Sequence, residues 1–184
     1  MMKKWSGIGL LLGMAVALQG CGSNPTEREA DASLDAKISG ASNSTFEGTG
    51  QFYDLAAPAS FRLVARGKGA SENQTLQIGR MNAGRPAVGK HPLGLRTEIL
   101  AHFSRTGTNG TYEAFATSSG ELEITVSRAD RVEGTFKISG FRFCHREQQQ
   151  TGSRTGVACT VPTSEDHSAP KVEISGSFVA VPGS

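Results

Sequence analysis

Long apolar segments, aromatic residues and excess charge are all scarce in this 184-residue sequence. After residue 21 no run approaches the roughly 20 apolar residues of a membrane-spanning helix, which excludes a multi-span membrane protein. Aromatic residues make up 7% and charged residues 20% of the chain, and the formal net charge is +2. This composition is not that of a disordered acidic chain, and it lacks the interleaved basic and aromatic residues of a nucleic-acid-binding surface. The length corresponds to one domain with appendages.

Catalytic and metal-binding motifs are also missing. The sequence has no Gly-x-Ser-x-Gly elbow, no phosphate-binding glycine loop and no calcium loop. Its four histidines are scattered, and none has a metal-ligand spacing: His91, His102, His145 and His167. We therefore predict no enzyme, no cofactor and no metal site. A hydrolase whose catalytic groups come together only on folding is the least favoured alternative.

The first 21 residues form the strongest pattern in the sequence. Lys3 and Lys4 give a short positive head, and the segment 8–18 is almost purely apolar. Gly20, a small residue, then precedes Cys21. A positive head, an apolar stretch of 7–15 residues and a small residue before the cut are typical of a secretory signal peptide. We assign residues 1–20 to that signal.

The segment Leu18-Gln19-Gly20-Cys21 resembles the lipobox of bacterial lipoproteins. The resemblance implies that Cys21 carries a diacylglycerol, becomes the first mature residue and is acylated, for example with palmitate, on its new amine. Two or three acyl chains anchor a protein stably, which makes the membrane a predicted partner. In lipoproteins, an Asp directly after the lipidated Cys often retains the protein at the inner membrane. Residue 22 is Gly, which implies the outer membrane. The domain could lie on the periplasmic or on the outer side of that membrane.

Residues 21–43 are rich in Ser, Ala, Asn and charge, which predicts a lipidated flexible tether. The 22 residues from 22 to 43 would reach about 25 Å as a coil. Losing Lys3 and Lys4 with the signal reduces the 19 basic residues to 17, equal to the 17 acidic ones. The basic character of the full chain therefore belongs to its signal and predicts no polyanionic partner.

From residue 44 onward, apolar residues alternate with polar ones, which predicts half-buried β-strands. The alternation is clear at Phe61, Leu63 and Ala65, and again from Lys171 to Val181. A hairpin is predicted over 120–143 with its turn at 128–131. We expect residues 44–184 to be one all-β domain, an antiparallel β-sandwich or small barrel, with almost no helix.

Three stretches of this domain, 120–124, 130–136 and 172–178, are similar to the C-terminal half of a group of uncharacterised secreted bacterial β proteins, and 89–94 is similar to a strand-and-turn element at the middle of that group's chains. Many members of that group are lipoproteins. The resemblance covers about 90 residues and supports the fold. It implies no activity, because none is assigned to the group.

Three cysteines are an odd number for an exported chain. If Cys21 carries lipid, Cys144 and Cys159 are left to form a disulfide in the oxidising envelope. The bond would close a polar loop of about 15 residues and stabilise the fold by about 3 kcal/mol in the chain-entropy model. We interpret the disulfide as a structural bond that holds this loop in place. The alternative is that the disulfide presents the loop for recognition of a partner.

The sequence thus predicts a non-enzymatic lipid-anchored envelope protein, serving as a structural or binding β module at the outer membrane. Two alternatives stay open besides the hydrolase. A small barrel can carry an apolar ligand in its interior, and the loop between Cys144 and Cys159 can recognise a protein.

Overall fold

A computed structural model of the chain describes residues 32–41, 43–56, 59–67, 73–108, 110–146, 159 and 167–183. These residues form nine strands and no helix: β1 Ser33–Gly40, β2 Ser44–Ala56, β3 Ala59–Gly67, β4 Asn73–Arg80, β5 Gly89–Leu93, β6 Ile99–Thr106, β7 Tyr112–Ser127, β8 Val132–Arg146 and β9 Lys171–Pro182. The predicted all-β class is confirmed.

One sheet contains all nine strands, in the order β1-β2-β3-β4-β6-β5-β7-β8-β9. It closes into a barrel because β1 pairs with β2 on one side and with β9 on the other. The pairings are antiparallel except for a short β2–β9 contact and one β5–β6 pair. Closure removes the exposed edges through which open sheets aggregate.

The strands form where the sequence alternates, because successive side chains of a strand point to opposite faces of the sheet. On β3, Phe61, Leu63 and Ala65 are buried while Arg62 is exposed. A single core cluster fills the interior, and seven phenylalanines belong to it: Phe46, Phe52, Phe61, Phe103, Phe115, Phe136 and Phe178. The hairpin predicted over 120–143 is present, with the backbone amide of Arg128 donating to the carbonyl of Arg131 across its turn.

The tether predicted over residues 21–43 is wrong for residues 33–40, which form strand β1. Leu34, Ala36 and Ile38 are buried in the core cluster, alternating with exposed Asp35 and Lys37. The composition of the segment hid this strand, because three modest apolar residues stand among Ser, Asp and Lys. They suffice here because strands on both sides, β2 and β9, supply hydrogen-bond partners. The part of the tether before residue 32 lies outside the described residues.

A second difference concerns β7. Alternation suggested one short strand at 112–117 and another from residue 120, but the 16 residues Tyr112–Ser127 form one strand. Its pairing with β8 shifts register at three places: between Ala114 and Phe115, Thr117 and Ser119, and Ile124 and Val126. Such bulges interrupt the alternation in the sequence without interrupting the strand.

Glycine allows neighbouring strands to approach closely in this small barrel. A Cβ atom at Gly134 on β8 would overlap the carbonyl oxygen of Glu123 on β7. Gly40 ends β1 at a φ of 98°, in the left-handed region that favours glycine. Side chains at these two positions would strain the backbone or separate the strands.

The barrel has two ends, which we name by their position in the chain. At the cysteine end, β1 and β8 finish, at Gly40 and Arg146, and β9 begins at Lys171. At the N-terminal end, β1 begins at Ser33 and β9 finishes at Pro182. The hairpin between β2 and β3, the segment 81–88 and the turn 128–131 also lie at the N-terminal end.

Candidate functional site

The pair Cys144 and Cys159 lies at the cysteine end, next to the end of β8. Cys144 is buried and pairs with Ala114 of β7. The Cα atoms of the two cysteines are 5.5 Å apart, within the usual range for a disulfide. This geometry agrees with the pairing predicted from the sequence. Residues 147–158 of the loop that the pair closes lie outside the described residues.

Beside this pair, four side chains from three adjacent strands form what we call the Glu113 cluster: Arg105, Glu113, Arg142 and His145. Arg105 donates from Nε to Glu113 Oε2 at 2.7 Å and from Nη2 to the same oxygen at 2.5 Å. Arg142 donates from Nη1 to Glu113 Oε1 at 2.8 Å. His145 Nδ1 lies 3.4 Å from that oxygen. One carboxylate thus joins β6, β7 and β8 at this end.

The strand register explains why these residues meet. Phe103 of β6 faces Phe115 of β7 in the core, and two residues further along Arg105 faces Glu113. Gln74 of β4 pairs with Arg105, and it is as buried as Glu113, at 8% exposure. Residues two apart on a strand share a face. The apolar side chains that fill the inside of the barrel, which we call the apolar column, therefore end here in a layer of polar side chains.

The surroundings of Glu113 keep its carboxyl group ionised. Burial alone would raise its pKa, but hydrogen bonds from Arg142 and Arg105, together with their charges, hold the pKa below its ordinary value. Two guanidinium groups share this carboxylate. A carboxylate held in this way accepts a proton poorly. The arrangement therefore suits electrostatic recognition better than acid–base catalysis.

His102 lies on β6, away from this cluster. Its ring centroid is 5.5 Å from that of Phe143, and burial lowers its pKa, which keeps the imidazole neutral at pH 7. His91 contacts the carbonyl oxygen of Ala87 at 2.7 Å. Among the described residues, no group of three or more His, Cys, Asp or Glu side chains is placed to hold a metal ion.

The sequence predicted three site residues. Two of them, Cys144 and Cys159, lie at the cysteine end, and Cys21 falls outside the described residues. Sequence reasoning missed Arg105, Glu113 and Arg142. The available signal was a charged residue two positions beyond a core phenylalanine, as at Phe103 and Arg105, but only the strand pairing shows that such charges meet.

The N-terminal end is closed differently, by the segment 81–88. The guanidinium carbon of Arg85 lies 4.7 Å from the centre of the buried Phe52 ring. Its two terminal nitrogens donate to the Asp54 carboxylate and to the backbone carbonyl of Arg128. Ser127 donates to the carbonyl of Pro86 and fixes the same segment to β7. One arginine therefore covers the end of the core.

The interior offers little room for a ligand. The space around Leu76, Phe103 and Ile138 amounts to about 180 Å³ between atoms, and none of it is wide enough for a water molecule. A wider groove of about 250 Å³ lies on the outer face of β2 and β3, lined by Ala32, Thr49, Gln51, Val64 and Arg66. Within the described residues, the packed core therefore disfavours the apolar-carrier alternative.

Comparison with known proteins adds no relative: no protein-family model, no curated protein and no solved structure matches the chain. The two resemblances drawn from the sequence stay predictions. No helix among the described residues is long and apolar enough to cross a membrane.

Proposed function

We propose that this protein is a non-enzymatic, lipid-anchored module of the cell envelope that presents its cysteine end to a protein partner. The anchor is the predicted lipid on Cys21, which follows the signal peptide 1–20. The proposal rests on the positions of three features on the barrel. The chain enters the barrel at the N-terminal end, whereas Cys144 and the Glu113 cluster lie at the other end.

The length of the barrel and the length of the tether place the two ends at different distances from the membrane. The eight residues of β1 span roughly 25 Å between the two ends of the barrel. Ten residues, 22–31, separate Cys21 from Ala32, and even fully extended they reach only about 35 Å. Because the tether joins the N-terminal end, that end should lie nearer the bilayer on average, and the cysteine end, about 25 Å further along β1, should lie farther from it.

Two features of the cysteine end favour recognition. A loop held at its base by a disulfide on a rigid barrel is a common way to present a binding surface. Its sequence from 146 to 158 is polar, with Gln148, Gln149 and Gln150 in succession. The two guanidinium groups of the Glu113 cluster beside it would favour carboxylates on a partner surface.

Metabolic labelling with radioactive palmitate tests the anchor. The wild-type protein should incorporate label and partition into detergent, and Cys21→Ala should do neither. The double variant Cys144→Ala/Cys159→Ala is the matched control, because it removes two thiols and should keep the label. Equal labelling of wild type and Cys21→Ala would refute the lipid anchor.

Site-specific photo-crosslinking in cells tests recognition. A photoreactive amino acid at Gln149 should give a discrete protein adduct, because the loop would face the partner. The same amino acid at Arg128, exposed in the turn of the N-terminal end, serves as the control and should not give that adduct. The absence of any adduct at 149, or the same adduct at both positions, would contradict recognition through the cysteine end.

A further inference from the structure

We propose that the N-terminal end of the barrel rests on the lipid surface, with Leu55, Met81 and Val88 touching the bilayer. This inference depends on the proposed anchor at Cys21 and adds a second, non-covalent contact with the same membrane. The lipid chains would hold the protein, and the apolar side chains would set its orientation.

The exposed apolar residues point to this end. Leu55, Met81 and Val88 are 48%, 68% and 64% exposed, the large apolar side chains that stand out on the described surface. All three belong to the N-terminal end: Leu55 to the hairpin of β2 and β3, Met81 to the residue after β4, and Val88 to the residue before β5. Exposed apolar residues gathered on one end mark a surface that contacts something apolar.

The strand register places two of the three near one another. Leu55 pairs with Ser60 on β3, and the next residue of β3, Phe61, pairs with Arg80, the last residue of β4. Met81 directly follows Arg80 and therefore lies close to Ser60. Both apolar side chains thus belong to the same part of the N-terminal end.

Four ion pairs lie at this end. Arg80 Nη2 lies 2.7 Å from Glu98 Oε2, and Arg85 is paired with Asp54. Two more arginines have carboxylate partners in the same way, Arg128 with Asp130 and Arg131 with Glu133. These four pairs cancel, whereas Arg62 and Arg96 are also exposed near this end. On phosphatidylcholine, whose headgroups carry no net charge, the contact with lipid should be apolar and nearly independent of salt.

The tether explains why three side chains suffice. A contact of this size would be weak for a free protein, but the anchor makes it intramolecular and raises its effective concentration. The stretch 22–31 also joins the anchor to this end of the barrel, which brings this end closer to the bilayer than the cysteine end. A covered N-terminal end leaves the cysteine end open to a partner.

Tryptophan fluorescence provides a direct test. The sole tryptophan of the sequence, Trp5, lies in the predicted signal, so the mature chain has none. The mature lipoprotein carrying Met81→Trp is reconstituted into phosphatidylcholine vesicles with brominated acyl chains, which quench only nearby indoles. Asn73→Trp is the matched control, because Asn73 is exposed at the cysteine end. A second probe, Val88→Trp, lies in a different part of segment 81–88 and covers the case that Met81→Trp misfolds.

Met81→Trp and Val88→Trp should be quenched at least about twofold more than Asn73→Trp, and raising the salt concentration should not change this ratio. Palmitate labelling of the same samples separates the two proposals. Labelled protein with equal or absent quenching of all probes would overturn the membrane contact and leave the anchor intact. Unlabelled protein without quenching would overturn both.

Discussion

The two ends of the barrel close the same apolar column in different ways. At the cysteine end, the column finishes in a polar layer in which Glu113 is buried between Arg105 and Arg142. At the N-terminal end, it finishes under a single arginine, Arg85, above Phe52. The first closure leaves charge and a disulfide at the surface, and the second leaves exposed apolar side chains. The difference is the basis for proposing a lipid contact at the N-terminal end and a protein partner at the cysteine end.

The energetics of the two closures should differ as well. A carboxylate with 10% side-chain exposure that receives three hydrogen bonds from two arginines is part of the folded core. The ion pairs of the N-terminal end are more exposed, with Glu98 at 71% and Asp54 at 42%. Exposed pairs contribute little because water screens them. Removing one partner should therefore matter far more at the cysteine end.

The largest effect is expected from Glu113→Ala. The substitution removes the carboxylate that two guanidinium groups share at a buried position, and it should lower the free energy of unfolding by about 3 kcal/mol. Urea unfolding measures this loss. The matched control is Glu98→Ala at the other end, expected to cost less than about 0.5 kcal/mol. Equal losses for the two variants would remove the energetic distinction between the ends.

The second-largest loss of stability is expected when the disulfide is removed. Replacing both cysteines, Cys144→Ala/Cys159→Ala, should lower the free energy of unfolding by about 2–3 kcal/mol, because the unfolded chain is no longer constrained by the closed loop. Thermal unfolding with and without reductant checks this. Reductant should shift the melting temperature of the wild type but not that of the double variant. A wild type insensitive to reductant would argue against the bond.

A smaller loss is expected from Arg85→Ala, about 1–2 kcal/mol. The variant loses the cation–π contact with Phe52 and two hydrogen bonds, one of them to the partly exposed Asp54. Chemical unfolding again gives the value. Arg128→Ala, in the exposed turn of the same end, is the control and should change stability little. A loss at Arg85 exceeding that at Glu113 would reverse the proposed order of the two closures.

The smallest effect is expected on the pH dependence of the stability of the fold. Because the pKa of Glu113 is lower in the folded protein than its ordinary value of 4.5, ionised Glu113 stabilises the fold above that pH. The contribution is lost as the pH falls through the folded pKa. Stability measured from pH 6 down to about pH 3 should therefore fall less steeply in Glu113→Gln than in wild type. Parallel curves for the two proteins would contradict the pKa assignment.

Much of the barrel could be predicted because burial on one face imposes a period of two on the sequence. Phe61, Leu63 and Ala65 show that period, and so do Val172, Ile174 and Phe178. Strand β1 was missed because its alternation rests on Leu34, Ala36 and Ile38 in a segment whose composition resembles a linker. What makes it a strand is the pairing with β2 and β9, which is distant in the sequence.

The candidate site was predicted only in part, for a related reason. Cys144 and Cys159 could be paired by counting cysteines, because the number available is small. The contact of Glu113 with Arg105 depends on the register of β6 against β7, and that with Arg142 on a register shift between β7 and β8. A local pattern does not encode either register. A charged side chain on the core-facing side of a strand indicates a site only when the pairing of the strands is known.

The proposed anchor depends most directly on the chemistry of Cys21. Mass spectrometry of the N-terminal peptide of the protein isolated from cell envelopes measures this chemistry. The mature chain should begin at Cys21, with a diacylglycerol on the sulfur and an acyl group on the amine. A chain that still begins at Met1, or one that carries an unmodified Cys21, would contradict it.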